Sequence, residues 1–104
     1  MCGLFGWNLR QDSLRTNRRR LSVLATALTL QNDERGGDSW GYYDAANDRL
    51  QKGLGAMSAG IRASTLARIP VLTAHTRYAT TGRVTRQNAH PFDFGELVGA
   101  HNGM

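Results

Sequence analysis

From Leu14 to Leu30 the sequence returns an apolar residue at helical spacing: Leu14, Leu21, Leu24, Ala25 and Leu28 share a face, while Arg15, Arg18, Arg19 and Thr29 fall largely elsewhere. A helix of this kind is stabilised by packing its apolar stripe, so the rest of the chain must supply a surface for it. Asp12 or Ser13 stands where an N-cap side chain belongs. The flanking segments read as strands. Gly3 to Asn8 is short and apolar, with Phe5 and Trp7 on one face if extended. Trp40 to Ala46 and Arg49 to Gly53 flank a turn at Asn47-Asp48, Val71 to Thr76 is a buried run, and Leu97 to His101 is one more apolar strand. Asn32 to Asp38, with two adjacent glycines and no apolar residue, predicts a loop. Ser58 to Ile69 predicts a second helix, ended by Pro70. Arg77 to Asp93 is polar, aperiodic and holds Gly82 and Pro91, which predicts a long ordered loop of the kind that usually carries function. The order strand, helix, hairpin, helix, strand, loop, strand predicts an α+β layered domain.

At 104 residues the chain has room for one domain, which would bury roughly two-thirds of the surface its unfolded form exposes. With 40% hydrophobic and 20% charged residues it has the composition of a globular protein. No apolar run nears the roughly 18 residues of a membrane span. The start lacks a basic region followed by an apolar stretch of secretory length. The lone Cys2 has no internal disulfide partner, in keeping with a reducing compartment, and we read the protein as cytoplasmic. The net charge of +5 is almost entirely arginine, densest at Arg18, Arg19 and Arg20 with Arg10 and Arg15 nearby. Two readings fit: the phosphate-binding patch of a small nucleic-acid-binding protein, or a solvated helix face. With no aromatic residues interleaved to stack bases and no zinc-finger spacing, the helix face is the simpler.

Three places offer chemistry. Cys2 follows the initiator Met1, whose excision next to a small residue would leave a cysteine with a free α-amine beside its thiol. An α-amine titrates near pH 8, so nucleophile and base would share one residue. The plainer reading is a small buried or incidental cysteine. The run His75-Thr76-Arg77-Tyr78-Ala79-Thr80-Thr81-Gly82 ends a buried strand with a guanidinium fork suited to a carboxylate and hydroxyls beside it; a structural salt bridge is the alternative. Asn102-Gly103 pairs a side-chain amide with a glycine N–H, the two neutral donors of an oxyanion hole, although an Asn-Gly turn is the usual explanation of such a pair. His75, His90 and His101 are too far apart in sequence for a local metal signature, and we assign neither metal nor cofactor.

Together, in this order, these segments resemble the class II glutamine amidotransferases, whose glutaminase domain is an N-terminal-nucleophile hydrolase. Met1-Cys2-Gly3-Leu4-Phe5-Gly6 is similar to the family's processed Cys-Gly-hydrophobic start, and Arg35-Gly36-Gly37-Asp38-Ser39-Trp40-Gly41 to its R-G-x-D-S/A-x-G motif. His75-Thr76-Arg77-Tyr78-Ala79-Thr80, then Asn88-Ala89-His90-Pro91-Phe92, resemble its H-T-R-W/Y-A/S-T and N-A-H/Q-P segments, and His101-Asn102-Gly103 its H-N-G. By pattern the glucosamine-6-phosphate synthase and amidophosphoribosyltransferase glutaminase domains are the most similar.

The resemblance implies a four-layer αββα fold, two antiparallel sheets between helices, of which residues 1–104 supply the N-terminal part. It implies that Cys2 attacks the side-chain amide of glutamine, giving glutamate and ammonia through a thioester, with Asn102 and Gly103 holding the oxyanion. Arg77 would pair with the substrate α-carboxylate, with Thr80 and His90 completing that pocket, while Arg35 and Gly36 orient the nucleophile and its loop; Tyr78 and Asp38 are expected to be structural. A synthase domain or subunit would take the ammonia, and an oligomer is compatible. Gly37 replaces a residue that is often Pro, Tyr or Gln, and Thr81 stands where many sugar-synthase relatives have His. Relatives continue past the H-N-G strand and include an aspartate for the glutamine α-amine, so the domain is expected to be cut after that motif. An inactive remnant or interaction module of the same fold, and the arginine-rich nucleic-acid binder, are the competing readings.

Overall fold

The computed structural model describes the backbone of residues 1–10 and 13–103 and the side chains of residues 1–10 and 15–103. In chain order the elements are β1 (Gly3–Asn8), α1 (Ser13–Thr16), α2 (Arg18–Arg35), β2 (Ser39–Asp44), β3 (Arg49–Leu54), α3 (Met57–Gly60), α4 (Ala63–Leu66), β4 (Val71–Arg77), β5 (Phe92–Asp93) and β6 (Val98–Gly99). Four strands form one antiparallel sheet in the order β1-β4-β2-β3, and β5 and β6 form a separate antiparallel ribbon. The chain is α+β with antiparallel sheets, as its element order predicts.

Alternation along the strands decides what each sheet face carries. In β4, Leu72, Ala74 and Thr76 point one way and Thr73, His75 and Arg77 the other. Ala74 lies opposite Phe5 in β1 and Tyr42 in β2. The first face is the core: Trp40, Tyr42, Leu72 and Ala74 pack against Ala25 of α2, Met57 of α3, Leu66 of α4 and Ile69, with Phe5 and Trp7 at the margin. Among the described residues no helix is long and apolar enough to cross a membrane.

The helical stripe is the largest departure from expectation. The buried face of α2 is Leu21, Ala25, Thr29 and Asn32, while Leu24 is 44% exposed and Leu30 54%. Polar residues are tolerated inside because each is satisfied locally: Thr29 Oγ1 donates to the Thr26 carbonyl (3.0 Å) and Asn32 Nδ2 to that of Leu28 (2.7 Å). The helix also runs to Arg35, through residues expected to be loop. Hydrophilicity alone does not stop a helix, and no glycine or proline intervenes before Gly36. There the backbone turns extended, with the Gly36 N–H donating to Asn32 O at 3.0 Å.

Three other expectations change. The start of the helical run is split, α1 being separated from α2 by a turn at Asn17; of the expected caps, Asp12 and the side chain of Ser13 lie outside the described residues. The second helix is two single turns, because Ile61 and Arg62 between them are extended (φ/ψ −144/145° and −80/138°). Leu97 to His101 does not extend the main sheet. Only Val98 and Gly99 pair, with β5, across a turn closed by Phe94 N–H on Leu97 O (2.7 Å), while Phe94 and Leu97 stay 70% and 72% exposed.

Arg10, Arg15 and the Arg18 to Arg20 cluster are exposed, as both readings of this arginine run require. The core assignment yields a direct check. Leu66→Ala, at a site with no solvent exposure, should lower unfolding free energy by about 2–5 kcal/mol in urea titrations. Val23→Ala, at a 67% exposed position of α2, should stay within about 0.5 kcal/mol.

Candidate functional site

Three chain segments meet where β1 begins. Gly3 pairs with Thr76 near the end of β4, and the buried Thr76 hydroxyl donates to Asn32 O of α2 at 2.8 Å. Gly3 sits over this junction so closely that an added Cβ would lie 2.1 Å from Asn32 Oδ1 and 2.6 Å from Thr76 Oγ1. At the end of α2, a Cβ on Gly36 would lie 2.5 Å from the Arg77 carbonyl carbon. Two glycines therefore let helix, first strand and central strand converge on Cys2.

Cys2 is held at both ends. Its carbonyl oxygen accepts from Arg35 Nε (2.9 Å) and from Asn102 Nδ2 (3.1 Å). Its buried thiol faces the backbone after β4, with the Tyr78 N–H donating to Sγ at 3.3 Å and the S–H directed at Tyr78 O at 3.7 Å. Asp38 fixes that stretch: its carboxylate accepts from the Ala79 N–H at 2.8 Å, and its own N–H donates to Arg77 O at 3.1 Å. Arg35 Nη2 also reaches the Met1 sulfur at 3.1 Å.

Beside the thiol lies a cavity of about 350 Å³ lined by Cys2, Arg77, Thr80, Asn88, His90 and Gly103, among others, a volume in the range of small-molecule sites. Among the described residues the buried Arg77 has no salt-bridge partner there, and backbone carbonyls take its donors. Nη1 donates to Arg83 O at 2.8 Å and Nη2 to Thr81 O, so the guanidinium braces the loop after β4. A larger space of about 730 Å³ between α2 and α3–α4 is lined by small and hydroxylic residues such as Thr26, Thr29, Ser58 and Gly60, with Arg62 at its edge. Among the described residues that line it there is no thiol, imidazole or carboxylate.

Behind Arg77, the three histidines that the sequence keeps apart come together. His90 stacks on His75 with centroids 4.1 Å apart, meets His101 edge-on at 5.0 Å and touches Phe92 at 4.3 Å. His75 Nε2 lies 3.1 Å from His101 O. A carbonyl only accepts, so Nε2 carries the proton; among the described residues the buried Nδ1 has no partner. The His101 N–H points at His90 Nδ1 (3.3 Å), which makes that nitrogen an unprotonated acceptor. Among the described residues no group of three His, Cys, Asp or Glu side chains is arranged to hold a metal ion.

The eight residues singled out in the sequence thus fall in one region. Cys2, Arg77, Thr80, His90 and Gly103 line the cavity, Arg35 and Asn102 grip the Cys2 backbone, and Gly36 supports the strand end. What sequence reasoning missed is the pairing of His75 with His101 and the backbone of Tyr78 on the thiol. Neither leaves a signal in the sequence, because each joins residues at least 26 apart in the chain.

Burial holds the His75 ring below the usual histidine pKa, opposed by its contacts with the His101 carbonyl and the Asn102 side chain. Burial, and then the neighbouring His75, His101, Arg77 and Lys52, lower His90 to about 4. In the unfolded chain a histidine protonates near 6.5, so between about 6.5 and 4 the unfolded state binds more protons and stability falls as pH is lowered. The urea midpoint should drop between pH 7 and pH 4.5, and His90→Phe should flatten that drop. Separately, Arg77→Ala releases the Thr81 and Arg83 carbonyls and should speed tryptic cleavage after Arg83 and Arg86 relative to the parent chain.

No protein-family model matches the chain, and no solved structure matches it. Among curated proteins the chain is similar to glutamine-fructose-6-phosphate aminotransferase (isomerizing) of Streptococcus mutans serotype c, 36% identical over 111 residues. The match takes in 100% of this chain and 17% of the relative, so the chain spans about a sixth of that protein's length. The likeness supports a relationship between this chain and a glutamine amidotransferase.

Proposed function

We propose that this chain is the nucleophile-bearing part of a class II glutamine amidotransferase, hydrolysing the side-chain amide of glutamine to glutamate and ammonia. The observation that carries the reading is Cys2, gripped at its carbonyl by Arg35 and Asn102 while its thiol faces a cavity lined by Arg77 and His90. Removal of Met1, which is 78% exposed, exposes the Cys2 α-amine. That amine titrates near pH 8 and accepts the thiol proton directly or through a water. The sulfur attacks the γ-amide carbon, the carbonyl electron pair moves onto oxygen, and the tetrahedral oxyanion is held by Asn102 Nδ2 and the Gly103 N–H. Collapse expels ammonia with the proton from the amine. Water then cleaves the γ-glutamyl thioester, giving glutamate and the free thiol.

Arg77 fits the substrate α-carboxylate because each terminal nitrogen that braces the loop keeps a second hydrogen for a ligand. Thr80 adds a hydroxyl at the cavity wall, and neutral His90 adds a hydrogen-bonding ring without charge. The ammonia goes to a synthase domain or subunit, in a cytoplasmic protein whose complete glutaminase domain is four-layer αββα, with this sheet and its helices as one half.

The test is covalent capture. The chain with Met1 removed, incubated with a diazoketone analogue of glutamine, should gain one adduct on Cys2 by peptide mass spectrometry, and excess glutamine should protect it. Asn102→Ala should slow turnover of glutamine by about 100- to 1,000-fold, the usual cost of an oxyanion donor. An adduct elsewhere, or labelling that survives Cys2→Ala, contradicts the proposal.

A further inference from the structure

His75 has no accessible surface, and among the described residues its Nδ1 has no hydrogen-bond partner. An apolar ring of similar size would fill the same space without that desolvation cost. The compensating interaction lies at the other nitrogen, on the carbonyl of His101, one residue before the Asn102 that reaches Cys2.

The route can be followed bond by bond. Gly41 of β2 lies opposite His75 of β4, and a Cβ on Gly41 would come 2.0 Å from His90 O. Lacking one, β2 lets His90 settle onto the His75 ring. His90 Nδ1 accepts the His101 N–H and His75 Nε2–H donates to the His101 carbonyl, so both backbone groups of His101 are engaged by side chains. The next residue is Asn102, whose Nδ2 reaches Cys2 O. Its side chain also interacts with His75 in the sense that favours a charged ring. The Cys2 carbonyl only accepts, so the NH2 group is the part of the amide that faces the cysteine.

We infer that His75 is the positioning residue of the Asn102 amide: its Nε2–H anchors the His101 carbonyl and orders the amide so that the NH2 group faces Cys2. His75 itself touches no reacting atom. Among the described residues the segment pairs with no strand beyond Gly99, and side-chain bonds hold it there. The kinetic consequence rests on the proposed glutaminase reading; the positional claim does not.

The experiment has two arms, both on the full chain. In the first, imidazole 15N shifts should show His75 as the Nε2–H tautomer at pH 7, and the Asn102 side-chain NH2 should be protected from solvent exchange. An Nδ1–H tautomer, or a freely exchanging Asn102 amide, overturns the inference without any variant. In the second arm, His75→Phe keeps a ring against His90 but removes the donor, and His75→Gln restores an N–H near Nε2. His75→Phe should lower the rate of Cys2 labelling by the glutamine analogue about tenfold, the worth of one hydrogen bond. His75→Gln should stay within about threefold of the parent. Equal losses in both folded variants, or none in His75→Phe, overturn it. A parent chain that is not labelled at Cys2 removes the glutaminase reading instead, and the tautomer arm then decides the inference alone.

Discussion

The register of β4 between β1 and β2 is the constraint on which the site depends. Because strand side chains alternate, this register sends Leu72, Ala74 and Thr76 into the helix-covered core and His75 and Arg77 to the opposite face. A slip of one residue would exchange the two sets, burying a guanidinium among Trp40, Tyr42 and Met57. The same register places Thr76 under Asn32 of α2 and Gly3 beside both, so the end of the helix and the start of the chain are located by one strand. Arg35 and Cys2 meet as a consequence.

From that frame the local chemistry follows by short steps. Arg77, on the outer face, is long enough to reach the carbonyls of the loop that follows its own strand and braces it. The loop is polar and has no ladder of its own, so a buried fork of donors substitutes for backbone pairing. The histidine stack does the same for the last described residues. Burial, the largest cause at both rings, holds His75 and His90 below the usual histidine range, and the neighbouring Arg77 guanidinium acts in the same sense. Order at the cavity wall is thereby tied to pH, through His90 Nδ1 remaining an acceptor.

Much of this was legible from residue order. β1, the β2–β3 hairpin and β4 follow from alternation and the Asn47-Asp48 turn, and the helical period between Leu14 and Leu30 marks α2. What was not legible is where polar residues are buried. Thr29 and Asn32 read as a solvated face and a loop because composition does not reveal that each bonds to its own preceding turn. The break at Ile61–Arg62 follows Gly60, but a single glycine inside a helical run is tolerated and does not by itself mark a stop, and the fate of Leu97 to His101 depends on side chains of β4 and the preceding loop. The site residues could be named from their motifs, but the role of Arg77 as a loop brace and the junction of His75 with His101 need three-dimensional proximity between residues 26 apart or engaged through backbone carbonyls.

The central claim is that Cys2, held by Arg35 and Asn102, is the group that becomes acylated when glutamine is hydrolysed. Acid quenching within the first turnover, followed by mass spectrometry of the intact chain lacking Met1, measures this directly. A γ-glutamyl adduct confined to the Cys2 peptide and released by hydroxylamine is the predicted result. Glutamate and ammonia forming with no acyl group on Cys2 at any quench time would contradict it.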